Sequence, residues 1–391
     1  MRRLTGLLIA AVLAVAAPPL SLTHAQDTTR ARPDSAKRAT APTPPFEFSG
    51  IIFANYQYGG LKNNRSVNRF ELERAYLTFR ATPAQHFGVR ITTDVYQQRD
   101  TTRDQYFRGW ALRAKYAYGQ YDFIRGSGDA LKANVRLGML QTVVIEQEEQ
   151  YWPRGIAPVA IDQNGYFQSA DLGAAATVTL PGKRGEVYAT ITNGSGYTSR
   201  ETDRFKDYAV RLTLTPLANS SGFLKALAIS PWFSNGDRAS DFARSRGTVL
   251  AVADAQRKDR AGLFIGIRDD RLSLGAHVAQ RWDVFEAADT TVDLEPLTIE
   301  RTGRVISLHT TVRPLMYFAN TLRWPLALLF RYDRIKPDVD TDAYARNTIA
   351  GLSWEFNRRT SLTFDYQNQR PTNGSTASDS KVYFLHLIAG F

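Results

Sequence analysis

The chain has 391 residues, 43% of them hydrophobic, with a formal net charge of +11 and no cysteine. Without cysteine there are no disulfides, thiolate metal sites or cysteine nucleophile. The basic balance points to nucleic acid, an anionic surface or small anions as partners.

Residues 1–25 have the form of a secretory signal. Arg2 and Arg3 open it, Leu7 to Ala17 form an apolar run, and Thr23-His24-Ala25 precede Gln26 as a small-residue cleavage site. The run is too short for a membrane helix, which needs about 20 residues. Export argues against nucleic acid as a partner, and loss of Arg2 and Arg3 leaves +9 on the mature chain. Residues 26–45 are rich in Thr, Arg, Ala, Pro and Asp and are expected to be a disordered lead.

From Phe46 onward the pattern is period-two alternation in stretches of about ten residues, broken by polar or Gly/Pro segments. Phe87-Val89-Ile91-Thr93-Val95, Tyr208-Val210-Leu212-Leu214 and Leu326-Leu328-Phe330-Tyr332 are clear cases. The alternation predicts strands at 46–58, 68–80, 85–97, 109–124, 131–145, 169–180, 185–193, 205–217, 222–234, 258–268, 271–282, 304–313, 325–335, 346–357, 360–370 and 380–391. That is about 16 strands, with fourteen or eighteen as the neighbouring even solutions. Links after even strands are short, except 314–324, and links after odd strands are long, with 146–168 among the longest. Short turns on one side and long loops on the other, with a mean hydropathy of −0.32, describe an all-β transmembrane antiparallel barrel over 46–391. A soluble sandwich has no reason to sort its loops by parity.

Aromatics fall near expected strand ends, among them Tyr56, Tyr58, Trp110, Tyr121, Trp232, Phe233, Trp282, Trp324, Trp354 and Phe356, as girdles in contact with outer-membrane lipid would. The sequence ends on KVYFLHLIAGF, an alternating strand closing on Phe391. This end resembles the C-terminal signature of bacterial outer-membrane barrels, which implies that Phe391 is the insertion signal read by the barrel-insertion machinery.

The parity opposite the apolar one should face the lumen. It carries Arg74, Arg80, Arg90, Arg113, Lys115, Lys132, Arg136, Arg211, Arg268, Arg271, Arg281, Arg313 and Arg331, against Glu47, Asp94, Asp171, Asp207, Asp333 and Asp365. An arginine-rich wall favours anions, because the planar guanidinium matches phosphate and carboxylate oxygens in pairs. The same charges could equally solvate the lumen or pair across strands.

Several stretches resemble the phosphate-selective porin O and P family: RLGMLQTVVIEQEEQYWPRG from Arg136, SADLG at Ser169 to Gly173, YATITNGSGY from Tyr188 and DRFKDYAVRLTLTP from Asp203. A weaker likeness covers Phe70 to Asp94 and Leu112 to Phe123. The resemblance implies a sixteen-stranded outer-membrane barrel, a homotrimer, and a third loop, 146–168, folded inward as a constriction. It also implies that small anionic solutes such as phosphate are guided by basic residues. The expected anion pathway is Arg74, Arg90, Arg113, Lys115, Arg136, Arg154, Arg211, Arg271, Arg281 and Arg331. The loop departs from a phosphate site, because Glu146, Glu148 and Glu149 oppose a single Arg154; Arg113, Lys115 and Arg136 are the candidates to neutralise them.

No catalytic, cofactor or metal motif stands out. There is no H-E-x-x-H, G-x-S-x-G or Walker-type loop, and Asn193-Gly194-Ser195-Gly196 reads as a turn cluster. Ser307 and His309 share a parity on one expected strand, a spacing common by chance. The reading is a porin of the bacterial outer membrane with an arginine-lined aqueous lumen, no enzyme activity and no cofactor. A non-transporting barrel acting as surface adhesin or scaffold is the alternative.

Overall fold

The computed structural model describes residues 46–61, 65–97, 109–239, 255–288, 296–318, 325–372, 374–375, 377 and 379–391. The signal and lead expected over 1–45, and Trp324, lie outside them. Seventeen strand segments form one antiparallel sheet that closes on itself. They are β1 (Phe46–Leu61), β2 (Arg65–Ala84), β3 (Phe87–Gln97), β4 (Trp110–Arg125), β5 (Lys132–Gln141) and β6 (Ala170–Leu180). The wall continues with β7 (Gly185–Thr192), β8 (Asp207–Leu214), β9 (Ala228–Asn235), β10 (Asp237–Ala239), β11 (Ala255–Arg268) and β12 (Leu272–Ala288). It is completed by β13 (Pro296–Val312), β14 (Leu326–Lys336), β15 (Ala345–Glu355), β16 (Thr360–Pro371) and β17 (Ser380–Gly390). β9 and β10 both pair with β11 and are parted only at Gly236, so they are one position in the wall. The barrel therefore has the sixteen positions expected. β17 closes it on β1, in the register Ile51 to Gly390 through Leu61 to Ser380.

The alternation decides which face is which. Ile91, Leu112, Leu137, Leu172, Val278, Leu328, Phe330, Phe364 and Leu385 stand exposed on the outside, while Thr92, Asp94, Ser230, His277, Asp333 and Asp365 are buried on the inside. An apolar band around a closed polar-lined barrel suits a wall set in lipid, where every strand needs a hydrogen-bonded neighbour. Tyr58, Trp110, Tyr121, Trp354 and Phe356 are exposed near strand ends, as girdle residues would be. Trp232 is not one of them: it shares its parity with Ser230 and Ser234, faces inward and is buried.

Strand bounds differ where polar tips carry no alternation. The hairpin β1–β2 runs up to Leu61 and Arg65, so the long link expected over 59–67 shrinks to residues 62–64. β12 and β13 stay paired up to Ala288 and Pro296, far beyond the expected 282 and 304. The strand expected over 222–234 starts only at Ala228, after a 3-10 turn over Phe223–Ala226. The strand expected over 131–145 stops at Gln141, because Thr142 turns the chain into the lumen.

Phe391 extends the β1 seam. Its backbone N–H donates to the Gly50 carbonyl at 3.0 Å, and its ring lies over the Gly50 backbone, 5.6 Å from that of Phe48.

Candidate functional site

The barrel core is made by the third outer loop. Between β5 and β6 the chain enters the lumen through two short helices, α1 (Ile145–Glu148) and α2 (Ala160–Gln163). Its apolar residues Val143, Val144, Ile145, Trp152, Ile156, Val159 and Ile161 are all buried. They pack on inward-facing Ala175, Tyr188, Ala209, Trp232, Ala279, Val305, Leu329 and Ile349 of β6 to β15. One half of the wall is thus lined with small or apolar groups that accept the loop. At Gly155 the loop passes so close to Phe53 of β1 and Ile388 of β17 that a Cβ would lie 2.6 Å from both, so it crosses most of the lumen.

Polar anchors hold this path. Gln147 Nε2 donates to Ser230 Oγ at 2.5 Å, and Arg331 donates to the Pro158 carbonyl at 2.5 Å while bonding Asp333. Ser273 Oγ donates to the Tyr151 carbonyl at 2.7 Å, Gln367 to the Ile156 carbonyl at 3.2 Å, and Arg281 to the Asn164 carbonyl at 3.3 Å. Arg211 reaches the Val143 carbonyl and Arg268 that of Gln150.

Glu148 is the deepest anchor. It is fully buried, with Oε2 2.6 Å from His277 Nδ1 on β12 and Oε1 3.4 Å from His309 Nε2 on β13. Trp232 Nε1, which can only donate, lies 3.0 Å from His277 Nε2. That nitrogen must accept, so the ring proton sits on Nδ1 and is donated to Glu148. Burial pushes the Glu148 carboxyl up, while the positive charge that His277 and His309 carry when protonated, and hydrogen bonding to these rings, pull it below the usual carboxylate range.

The other half of the lumen, along β2 to β5, stays open and charged. Two β-bulges shape it, since a bulge puts an extra residue on one strand and re-aims side chains. On β2 the register with β1 shifts so that Glu73 is unpaired, and on β4 the register with β3 shifts so that Lys115 is unpaired. Glu73 and Arg74 therefore both turn to the lumen, as do Lys115 and Tyr116. The loop's polar side faces them. Arg154 bonds Glu73 at 2.8 Å and Glu149 at 3.7 Å. Arg90 bonds Glu146 at 3.2 Å. Arg74 and Arg113 share Asp94 at 3.7 and 2.9 Å.

Tyrosines interleave with these cations. Arg113 lies 4.0 Å from the Tyr96 ring centroid and 4.6 Å from that of Tyr197. Arg90 lies 4.3 Å over Tyr116, and the Lys115 ammonium 4.2 Å over Tyr76. Each contact fixes a flexible cation against a rigid face. Tyr197 comes from the turn cluster at 193–196: Gly196 takes a φ of +73°, where a Cβ would also strike the Gln168 amide at 2.3 Å. The turn thereby brings the Tyr197 N–H to the Ala170 carbonyl and its hydroxyl to Arg113. The cleft left open is about 220 Å³, lined by Arg74, Tyr76, Arg113, Lys115, Arg154, Asp162 and Tyr197 among others.

The expected pathway residues thus fall into three groups. Arg74, Arg90, Arg113, Lys115, Arg136 and Arg154 come together with Glu146 and Glu149 on the open side. Arg211, Arg281 and Arg331 bind the loop from behind, as Glu148 does. Arg271 sits at the β11–β12 turn. Parity counting also missed lumenal acids: Glu73, Glu186, which bonds Arg211 at 2.5 Å, and Asp283, which bonds Arg260 at 2.7 Å. Around the open side six cations meet the carboxylates of Glu73, Asp94, Glu146, Glu149 and Asp162, so the cationic excess is slight. Among the described residues, neither Lys115 nor Arg136 has a carboxylate within 4.0 Å; Arg136 bonds Gln120 at 2.8 Å and Gln141 at 3.4 Å. Ser307 Oγ donates to Asp333 at 2.7 Å, not to His309. Among the described residues no group of three or more His, Asp or Glu is placed to hold a metal ion.

No protein-family model matches the sequence, and no curated protein matches it. Solved structures do match in fold. The anion-selective porin of Comamonas acidovorans superposes with a TM-score of 0.59 at 12% identity, covering 89% of this chain and 100% of that one. OmpF of Salmonella typhi, in a complex with daunomycin, gives 0.58 at 11%, covering 88% and 97%. The outer membrane channel DcaP of Acinetobacter baumannii gives 0.55 at 14%, covering 89% and 98%. The chain has the fold of these outer-membrane barrels.

Proposed function

We propose that the chain is a porin of the bacterial outer membrane that passes small polar solutes, with a preference for anions. The observation that carries this reading is the third loop, packed across the lumen so that a charged cleft remains between it and the wall of β2 to β5. A closed barrel with an apolar outer band and a water-accessible, loop-narrowed interior suits diffusion and size exclusion, and no covalent step is needed. The shared fold with channels of the outer membrane supports the location and the role. Anion preference rests on Lys115 in the cleft wall and Arg136 on neighbouring β5, which among the described residues have no carboxylate within 4.0 Å. Cations in a narrow aqueous path lower the cost of dehydrating an anion while leaving it free to depart.

Phosphate is included as one such anion through the sequence likeness to porins O and P. The pairing of Arg74, Arg90, Arg113 and Arg154 with carboxylates favours a general anion path over a dedicated phosphate site, which needs several free basic groups converging on one point. A homotrimer is part of the same proposal. The purified protein in planar bilayers should give discrete conductance steps. A folded, inserted barrel without steps would favour the adhesin or scaffold reading.

A further inference from the structure

We propose that the cleft between Lys115 and Asp162 binds small zwitterionic solutes of the α-amino acid type. This names a solute class for the same cleft and so rests on the porin reading above. Lys115 stands at the β4 bulge with its ammonium over Tyr76 and no carboxylate within 4.0 Å among the described residues. Asp162, on α2, lines the same cleft. Among the described residues its carboxylate makes no ion pair and no hydrogen bond. The other charges lining the cleft are occupied: Arg74 and Arg113 by Asp94, and Arg154 by Glu73 and Glu149.

Lys115 and Asp162 thus line one space without an ion pair between them, while Glu149 also attracts Lys115 and Arg154 also attracts Asp162. A lone anion gains at Lys115 and is repelled at Asp162, and a lone cation has the reverse experience. A solute carrying both charges satisfies both groups at once. Charge-assisted bonds of about 2.8 Å at each end would let such a solute bridge the two groups. The cleft volume of about 220 Å³ admits a body of that size. Gln168, Ser169 and Thr198 line it as neutral hydrogen-bonding groups. The carboxylate would turn to Lys115, with Arg113 beside it, and the ammonium to Asp162.

The test is isotope flux into proteoliposomes with four probes of one size: L-alanine, L-lactate, L-lactamide and alaninamide. Wild-type protein should pass alanine about tenfold faster than lactamide, the factor given by about 1.4 kcal/mol. Asp162→Asn should bring alanine down to the lactamide rate without slowing lactate, and Lys115→Gln should slow both alanine and lactate. If Asp162→Asn fails to assemble, Lys115→Gln alone decides. Alanine moving no faster than lactamide, while lactate and lactamide pass, would overturn the zwitterion site and leave the porin reading standing. So would an alanine preference that survives both substitutions, or alaninamide outrunning alanine. No flux of any probe above protein-free vesicles would sink the porin reading itself.

Discussion

Replacing Glu148 with Ala tests how the loop is held. The carboxylate is buried between His277 at 2.6 Å and His309 at 3.4 Å, and its loss strands a ring proton on His277 Nδ1 in a dry site. Breaking a buried pair by removing one partner costs roughly 3–5 kcal/mol. The anchors that remain are larger. Val143, Val144, Ile145, Trp152, Ile156 and Ile161 are each at most 3% exposed, and six such side chains at about 1.5 kcal/mol or more contribute roughly 9 kcal/mol. The loop should therefore stay inside but open more often. Glu148→Ala is expected to keep the mean single-channel conductance while adding open-state current noise, and to lower the temperature at which the barrel unfolds. Unchanged noise and melting would refute the anchoring role. A steady, large rise in conductance would show that the apolar packing is too weak to retain the loop.

Lys115→Gln with Arg136→Gln should lower the chloride-over-potassium permeability ratio. A unit charge about 8 Å from an ion in water shifts its energy by about 0.5 kcal/mol. The shifts on the two ions are opposite, so the pair of substitutions, about 2 kcal/mol together, should cost up to about thirtyfold in the ratio; an unchanged ratio would remove these two residues from the pathway. Acidification should act the other way. Burial raises the pKa of both Glu149 and Asp162, so these carboxyls protonate above the ordinary range of about 4. As pH falls from 7 through that region the cleft loses negative charge and keeps its cations, and the chloride preference should rise; a falling ratio over that range would contradict the assignment. Deleting Phe391 removes the ring packed on Phe48 and the backbone bonds to Gly50. The yield of heat-modifiable, folded barrel should drop, and a normal yield would argue that the seam closes without it.

The wall was legible because a strand with one face in lipid and one in water must alternate, and that signal survives in Phe87 to Val95 or Leu326 to Tyr332. The bulges were not legible. At Glu73-Arg74 and Lys115-Tyr116 the alternation simply breaks, and a broken alternation in one sequence looks like noise. Thr142 to Ile145 misled for a related reason. Val143, Val144 and Ile145 are as apolar as a lipid-facing run, but they face the lumen wall, whose small and apolar inner residues on β6 to β15 replace lipid as their partner. The loop's length announced that it was unusual, and its acids announced that it was charged; which acid met water depended on His277 and His309, more than a hundred residues away. Tyr197 had a local signal in the glycines at 194 and 196, but a turn cluster does not say which side chain it aims.

The central claim is that the open half of the lumen favours anions although its acids nearly match its cations. It is tested most directly by the reversal potential of the wild-type pore under a potassium chloride gradient at low ionic strength and neutral pH. Low salt matters, because the Debye length is about 30 Å at 0.01 M and only about 3 Å at 1 M. A potential of the sign set by chloride, shrinking as salt is raised, is the predicted result. A potential of the sign set by potassium would mean that Glu146, Glu149 and Asp162 outweigh Lys115 and Arg136, and the anion reading would fall.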